Sequence, residues 1–79
     1  MDRQLRQIND AIKRQPNRAV NYVFRGEYWL KQREPYLAID DFEMAIEFAM
    51  RDLAASDWDY REQSVIDRAR RGLRLAELY

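Results

Sequence analysis

The sequence predicts an all-α fold of four helices, and three observations carry that expectation. Apolar residues recur at intervals of three and four along most of the chain, the spacing of a helix with one buried face. Pro and Gly are scarce, two of each in 79 residues, so turns are few and the elements between them long. Hydrophobic residues at 47% and charged residues at 35% suit amphipathic helices and exclude a disordered chain. A chain of this length makes one domain, residues 1–79, near the size where a single core is only marginally stable.

Taken in order, the first helix is expected over 3–15, with Asp2 as its N-cap. Leu5, Ile8, Ala11 and Ile12 form its apolar stripe, and Arg6, Asn9, Asp10, Lys13 and Arg14 take the other side. Pro16 ends it, because the residue before a proline is pushed out of the α region. Asn17 suits the cap of the second helix, expected over 18–32. There Tyr22, Arg25, Gly26 and Trp29 lie along one ridge, flanked by Ala19, Val23 and Leu30. A glycine inside a helix costs about 1 kcal/mol relative to alanine, so Gly26 points to close approach of another backbone.

Glu34-Pro35 marks the next break, and Pro35 suits the first turn of a third helix over 35–54. Ala38, Phe42, Ala45 and Ala49 fall at i, i+4, i+7 and i+11, widened by Leu37, Ile39, Ile46 and Leu53. Large and small residues alternate on that face, which lets two helices interdigitate. Asp40, Asp41, Glu43 and Glu47 are expected to point outward, the early acids matching the positive end of the helix dipole. Ser56 with Asp59 resembles a capping box for a fourth helix over 58–78. Its stripe is Val65, Ile66, Ala69, Gly72, Leu73 and Ala76, extended by Trp58.

A shift of 34 residues superposes Ala11-Ile12 on Ala45-Ile46 and Ile8 on Phe42. With Pro16, the residues Tyr22, Gly26, Trp29, Ala38, Phe42 and Ala45 stand at the spacing of a known repeat. Over residues 11–49 the chain closely resembles the tetratricopeptide repeat (TPR) family. The resemblance covers one complete repeat, about 19–52, preceded by the second helix of an earlier one. It implies a right-handed stack of four antiparallel helices. After Met50 the match weakens: Gly72 arrives twelve residues late, and Arg68 stands where the leading aromatic belongs. The fourth helix is therefore read as a solubilising cap, with a degenerate repeat helix as the alternative. Met1 and that closing helix suit an independent unit, and a segment of a longer array fits the same residues.

The resemblance also implies a function: a non-catalytic protein–protein interaction module holding a peptide or partner helix on the surface lined by first helices. In this sequence that surface would include Val20, Val23, Glu27, Leu30 and Lys31, with Asn17 near its edge. Family members that grip a terminal carboxylate use a Lys and an Asn, where this chain has Val23 and Glu27, so an apolar or basic peptide is the expected ligand. The alternative for that face is burial of Val23 and Leu30 beneath the fourth helix. Tyr22 and Trp29 match seam positions; Phe24, Tyr28 and Tyr36 lie off that ridge, either packed on a neighbouring helix or free for binding.

Composition weighs the other classes. Fourteen basic residues balance fourteen acidic ones, so no overall field draws the chain to nucleic acid or to a membrane. Arg61, Arg68, Arg71 and Arg74, with Arg70 beside them, are a candidate anion site for phosphate, nucleic acid or an acidic partner. A solvated helix face explains them more simply, and the same holds for the acids of helix 3. With no His, no Cys and glycines only at 26 and 72, nothing activates a nucleophile, and no phosphate loop, metal or cofactor is expected. No apolar run approaches the ~20 residues of a membrane span, and the N-terminus lacks a signal core, so a cytoplasmic protein is expected. Self-assembly is the remaining rival: helix 1, the lone half of a repeat, would dimerise or stack through its outer face.

Overall fold

A computed structural model describes residues 2–55 and 60–79. It is all-α, with helices α1 (Arg3–Arg14), α2 (Ala19–Lys31), α3 (Pro35–Ala55) and α4 (Tyr60–Ala76). The limits agree with the expected ones to within two residues. The exception is the start of α4, since Trp58 and the Ser56–Asp59 cap lie outside the described residues.

Asp2 caps α1 as expected, its Oδ1 accepting from the Gln4 N–H at 2.8 Å. Leu5, Ile8, Ala11 and Ile12 are all half-buried, none fully covered, because among the described residues α1 packs on α2 and on no other helix. Polar contacts secure that pairing. The Tyr22 hydroxyl donates to the Pro16 carbonyl at 2.5 Å, and the Asn21 amide to the Ala11 carbonyl at 3.4 Å. The expected Asn17 cap is displaced by one residue: the Arg18 N–H bonds back to the Gln15 carbonyl at 3.2 Å, which keeps Asn17 in the turn. Arg18, in extended conformation, precedes α2 and makes no side-chain cap bond.

The α2–α3 connection is three residues long. The Glu34 N–H reaches the Trp29 carbonyl at 2.9 Å and the Arg33 N–H that of Leu30 at 3.0 Å, a Schellman closure that satisfies the last carbonyls of α2. It requires a left-handed residue, and Arg33 supplies it at φ 59°. Pro35 follows as the first residue of α3.

The interior is organised around Phe42, which is fully buried. A Cβ on Gly26 would stand 2.7–2.9 Å from three atoms of its ring. One on Gly72 would stand 2.5 Å from Cε1 and Cε2, and closer still to Cζ. One ring from α3 thus fills the space left by glycines on α2 and α4, which ties three helices together. Ala38, Ala45 and Ala69 are fully buried in the same cluster, and Ala19, Ala49 and Ile66 form a second. The cost anticipated for Gly26 is offset by this approach, and Gly72 repeats it.

One acid of α3 departs from expectation. Asp40, Glu43 and Glu47 are exposed, but Asp41 is buried. Its two carboxylate oxygens accept from Nε and Nη2 of Arg25, each at 2.9 Å, and Nη1 of Arg25 donates to the Asn9 amide oxygen at 3.0 Å. Standing between the buried Ala38 and Phe42, Asp41 sits at the edge of the face that meets α2. Removing a charge from water is tolerable only when its lone pairs are filled, which the guanidinium does on two sides. The bond to Asp41 is also the main reason the Arg25 pKa is raised.

Candidate functional site

The five residues expected on a concave binding face are not displayed together. Val23 is fully buried and Leu30 nearly so, in one cluster with Phe42, Ala69 and Ala76. Docking of α4 against α2 covers that face, as the alternative reading had it, and the expected patch is corrected accordingly. Val20 is half-buried beside Arg18, Asp52, Arg61 and Glu62 in a cleft of about 350 Å³. Glu27, the edge of Leu30 and Lys31 line a different and larger feature.

That feature is an open groove of about 640 Å³. Ile8 of α1 forms one wall, Phe24, Tyr28 and Leu30 of α2 the floor, and Leu75 of α4 with Leu78 just beyond its end the other wall. Gln4, Gln7, Glu27, Lys31 and Tyr79 complete the lining. Tyr28 and Leu30 are buried and Ile8 half-buried, whereas four members are left uncovered: Phe24 is 41% exposed, Leu75 46%, Leu78 82% and Tyr79 62%. The volume falls within the range of about 300–1,000 Å³ common for ligand-sized clefts.

Polar contacts fix the rim. Arg68 donates from Nε and Nη2 to the two oxygens of Glu27, both at 2.6 Å. Its guanidinium also lies over the Phe24 ring, 5.4 Å from the centroid. The bond to Glu27 raises the Arg68 pKa above its ordinary value. Glu27, the acid of the expected binding face, is thus paired within the chain itself. At the floor the Tyr28 hydroxyl donates to Asp2 Oδ2 at 2.8 Å. That bond, with the Gln4 amide second, holds the Asp2 carboxyl below its ordinary value, and it raises the Tyr28 phenol.

The α4 arginines are dispersed. Arg68 closes on Glu27, Arg61 lines the small cleft and is not free, and Arg71 and Arg74 lie exposed. Of the off-ridge aromatics, Phe24 and Tyr28 belong to the groove, whereas Tyr36 on α3 is 83% exposed and lies elsewhere. Sequence reasoning missed Gln4, Gln7, Leu75, Leu78 and Tyr79. A signal did exist for α4: Arg68, Leu75 and Leu78 follow at helical spacing along a stripe beside the buried Ala69, Gly72 and Ala76. Among the described residues no cluster of His, Cys, Asp or Glu could hold a metal, and no helix is long and apolar enough to cross a membrane. No protein-family model matches the chain, and neither a curated protein nor a solved structure does.

Proposed function

We propose that the chain is a non-catalytic protein–protein interaction module of tetratricopeptide-repeat type that takes a peptide or partner helix into the groove between α1, α2 and the end of α4. One observation carries the reading: a groove of about 640 Å³ whose apolar side chains, Phe24, Leu75 and Leu78 among them, stay exposed on a molecule that buries its other α2 face. An apolar anchor of the partner would displace water there, while Glu27, Lys31, Gln4 and Gln7 at the rim fix its register. The repeat-type assignment is supported by the small residues the resemblance rests on, with Gly26, Ala38 and Ala45 all buried around Phe42.

The test is selection of helical peptides from a displayed library on the immobilised chain. Binders are then measured against Phe24→Asp and Leu75→Asp, two positions exposed enough to leave the core intact, with circular dichroism to verify folding. Enriched peptides that lose at least tenfold in affinity on both variants support the assignment. No enrichment, or binding indifferent to both changes, removes it. A second reading is self-assembly through the same face, favoured by the half-covered stripe of α1. A sedimentation coefficient that rises with concentration supports it, and a strict monomer dismisses it.

A further inference from the structure

We infer that the groove seats a partner helix running antiparallel to α1, in the place that α2 takes on α3, an inference that rests on the groove being the peptide site. The chain's own repeat says what belongs there. A shift of 34 residues sets Gln4, Gln7 and Ile8 of α1 on Ala38, Asp41 and Phe42 of α3. All three positions of α3 are buried, and α2 covers them on one side: Asp41 accepts from Arg25, and the Phe42 ring lies against Gly26. The same three positions of α1 line the open groove, with Gln4 and Gln7 exposed and Ile8 half-buried. In its place α2 packs on both α3 and α4. Their counterparts one unit earlier are α1 and α2, and side chains of both bound the groove. The groove thus continues the α2–α3 interface by one unit. Because residues 32–34 alone join α2 to α3, that interface is antiparallel, and the seated helix takes the same direction.

The residues that differ between the two units state what the partner carries. Where α3 has Asp41, α1 has Gln7, an uncharged amide. An arginine in the place of Arg25 would then lose water without gaining a carboxylate. A glutamine there meets the Gln7 amide, which both donates and accepts. Where α3 has Phe42, α1 has the smaller Ile8, so a residue larger than glycine fills the place of Gly26. Net charge does not choose the partner, because the groove carries both signs: Glu27 is bonded to Arg68, Lys31 is in the lining, and the Asp2 carboxylate is bonded to the floor residue Tyr28.

The probes are two fluorescein-labelled peptides of the α2 sequence, Ala19–Lys31, both with Gly26→Leu. A hydrocarbon staple at the places of Phe24 and Tyr28 holds them helical. One keeps the arginine of position 25, and the other carries Arg25→Gln. Affinities are read by anisotropy on the wild-type chain and on Gln7→Asp, which gives α1 the acid that α3 has at Asp41; circular dichroism verifies that the fold is kept. The wild type is expected to bind the glutamine peptide about tenfold tighter, and Gln7→Asp to reverse the order by a similar factor. The reversal fixes register and direction together, since only the antiparallel seat brings position 25 to residue 7. Equal affinities on both chains, or an order that Gln7→Asp leaves unchanged, overturn the inference. Binding of neither peptide, while library-selected peptides bind and lose affinity on Phe24→Asp, overturns it and leaves the peptide groove in place. If the library also yields nothing, both readings fall. Self-association that excludes both peptides overturns it in favour of a second copy.

Discussion

Replacing Gly72 by alanine tests the account of the core most sharply, because two effects of known size oppose each other there. Alanine in mid-helix is favoured over glycine by about 1 kcal/mol, so propensity alone predicts a stabilised α4. Against this, the new Cβ would sit 2.5 Å from two ring atoms of Phe42 and nearer to a third, where ordinary contact begins near 3.4 Å. The ring would have to retreat by about 1 Å in a close-packed interior. It is fully buried, and the backbone of Gly26 bounds it on the side of α2, where a Cβ would stand only 2.7–2.9 Å away. Overpacking of this kind costs about 1–3 kcal/mol and sometimes more. The overlap, well inside contact distance and bounded on both sides, puts the balance on the side of loss, up to about 2 kcal/mol. For a chain of this size, with a urea slope of about 1 kcal/mol per molar, the midpoint falls by up to roughly 2 M. The assay is urea denaturation followed at 222 nm, with coincident fluorescence to verify a two-state transition. Phe42→Leu supplies the control. Once the ring is gone, Gly72→Ala should recover much of its loss, a coupling of about 0.5–3 kcal/mol between contacting sites. A Gly72→Ala midpoint at or above wild type, or strict additivity in the double variant, would refute the wedge.

Three further outcomes follow from other contacts. Asp41→Asn leaves the Arg25 charge in a site where its partner was 8% exposed and it was itself 27% exposed; a loss of about 1–3 kcal/mol is expected, discounted for that partial exposure, and replacement of both residues by Met and Leu should restore most of it in the same denaturation assay. Arg33→Gly relieves a left-handed backbone at φ 59° but loosens the unfolded chain, for a net gain of about 0.5 kcal/mol, readable as a Tm rise of roughly 2–4 °C. The Asp2 carboxyl is lowered from 3.8 chiefly by the Tyr28 hydroxyl. Its stabilising contribution is therefore complete above pH 3.8 and fades as pH falls through the lower folded value. In a carbon-13 titration the Asp2 midpoint should lie below 3.8 in the wild type and move upward in Tyr28→Phe; an unmoved midpoint removes Tyr28 as the cause.

The helices were legible because their causes are local: a period near 3.6, Asp2 to start α1, and Pro16 and Pro35 to separate the elements. Features set by distant neighbours were not. Asp41 carries the pattern of a surface acid, and only Arg25, sixteen residues earlier, makes its burial tolerable. Arg33 gives no hint of a left-handed backbone, since nothing in an arginine favours that conformation; closure of α2 imposes it. Val23 and Leu30 were recognised as apolar positions, but periodicity measures the width of an apolar face and does not say which helix covers it. The answer depends on Gly72, displaced by twelve residues from the repeat spacing yet seated on the same ring as Gly26. The groove is half legible for the same reason: its α2 residues share one helix face, and its far wall comes from residues 75–79.

Among the described residues helix α1 holds the molecule through one neighbour, α2, while α2, α3 and α4 pack on one another. That inequality divides the chain into cooperative units of different depth. Amides of α2, α3 and α4 around Phe42 exchange with solvent hydrogen only when the whole structure opens, and those of α1 through a cheaper, sub-global detachment. Because Gln4, Gln7 and Ile8 line the groove, each detachment also removes a wall of it. A guest therefore meets a site present only in the fraction of molecules with α1 seated, and its measured affinity is diluted by that fraction. Occupancy would show first as slowed exchange along residues 3–14, at amides the guest never touches.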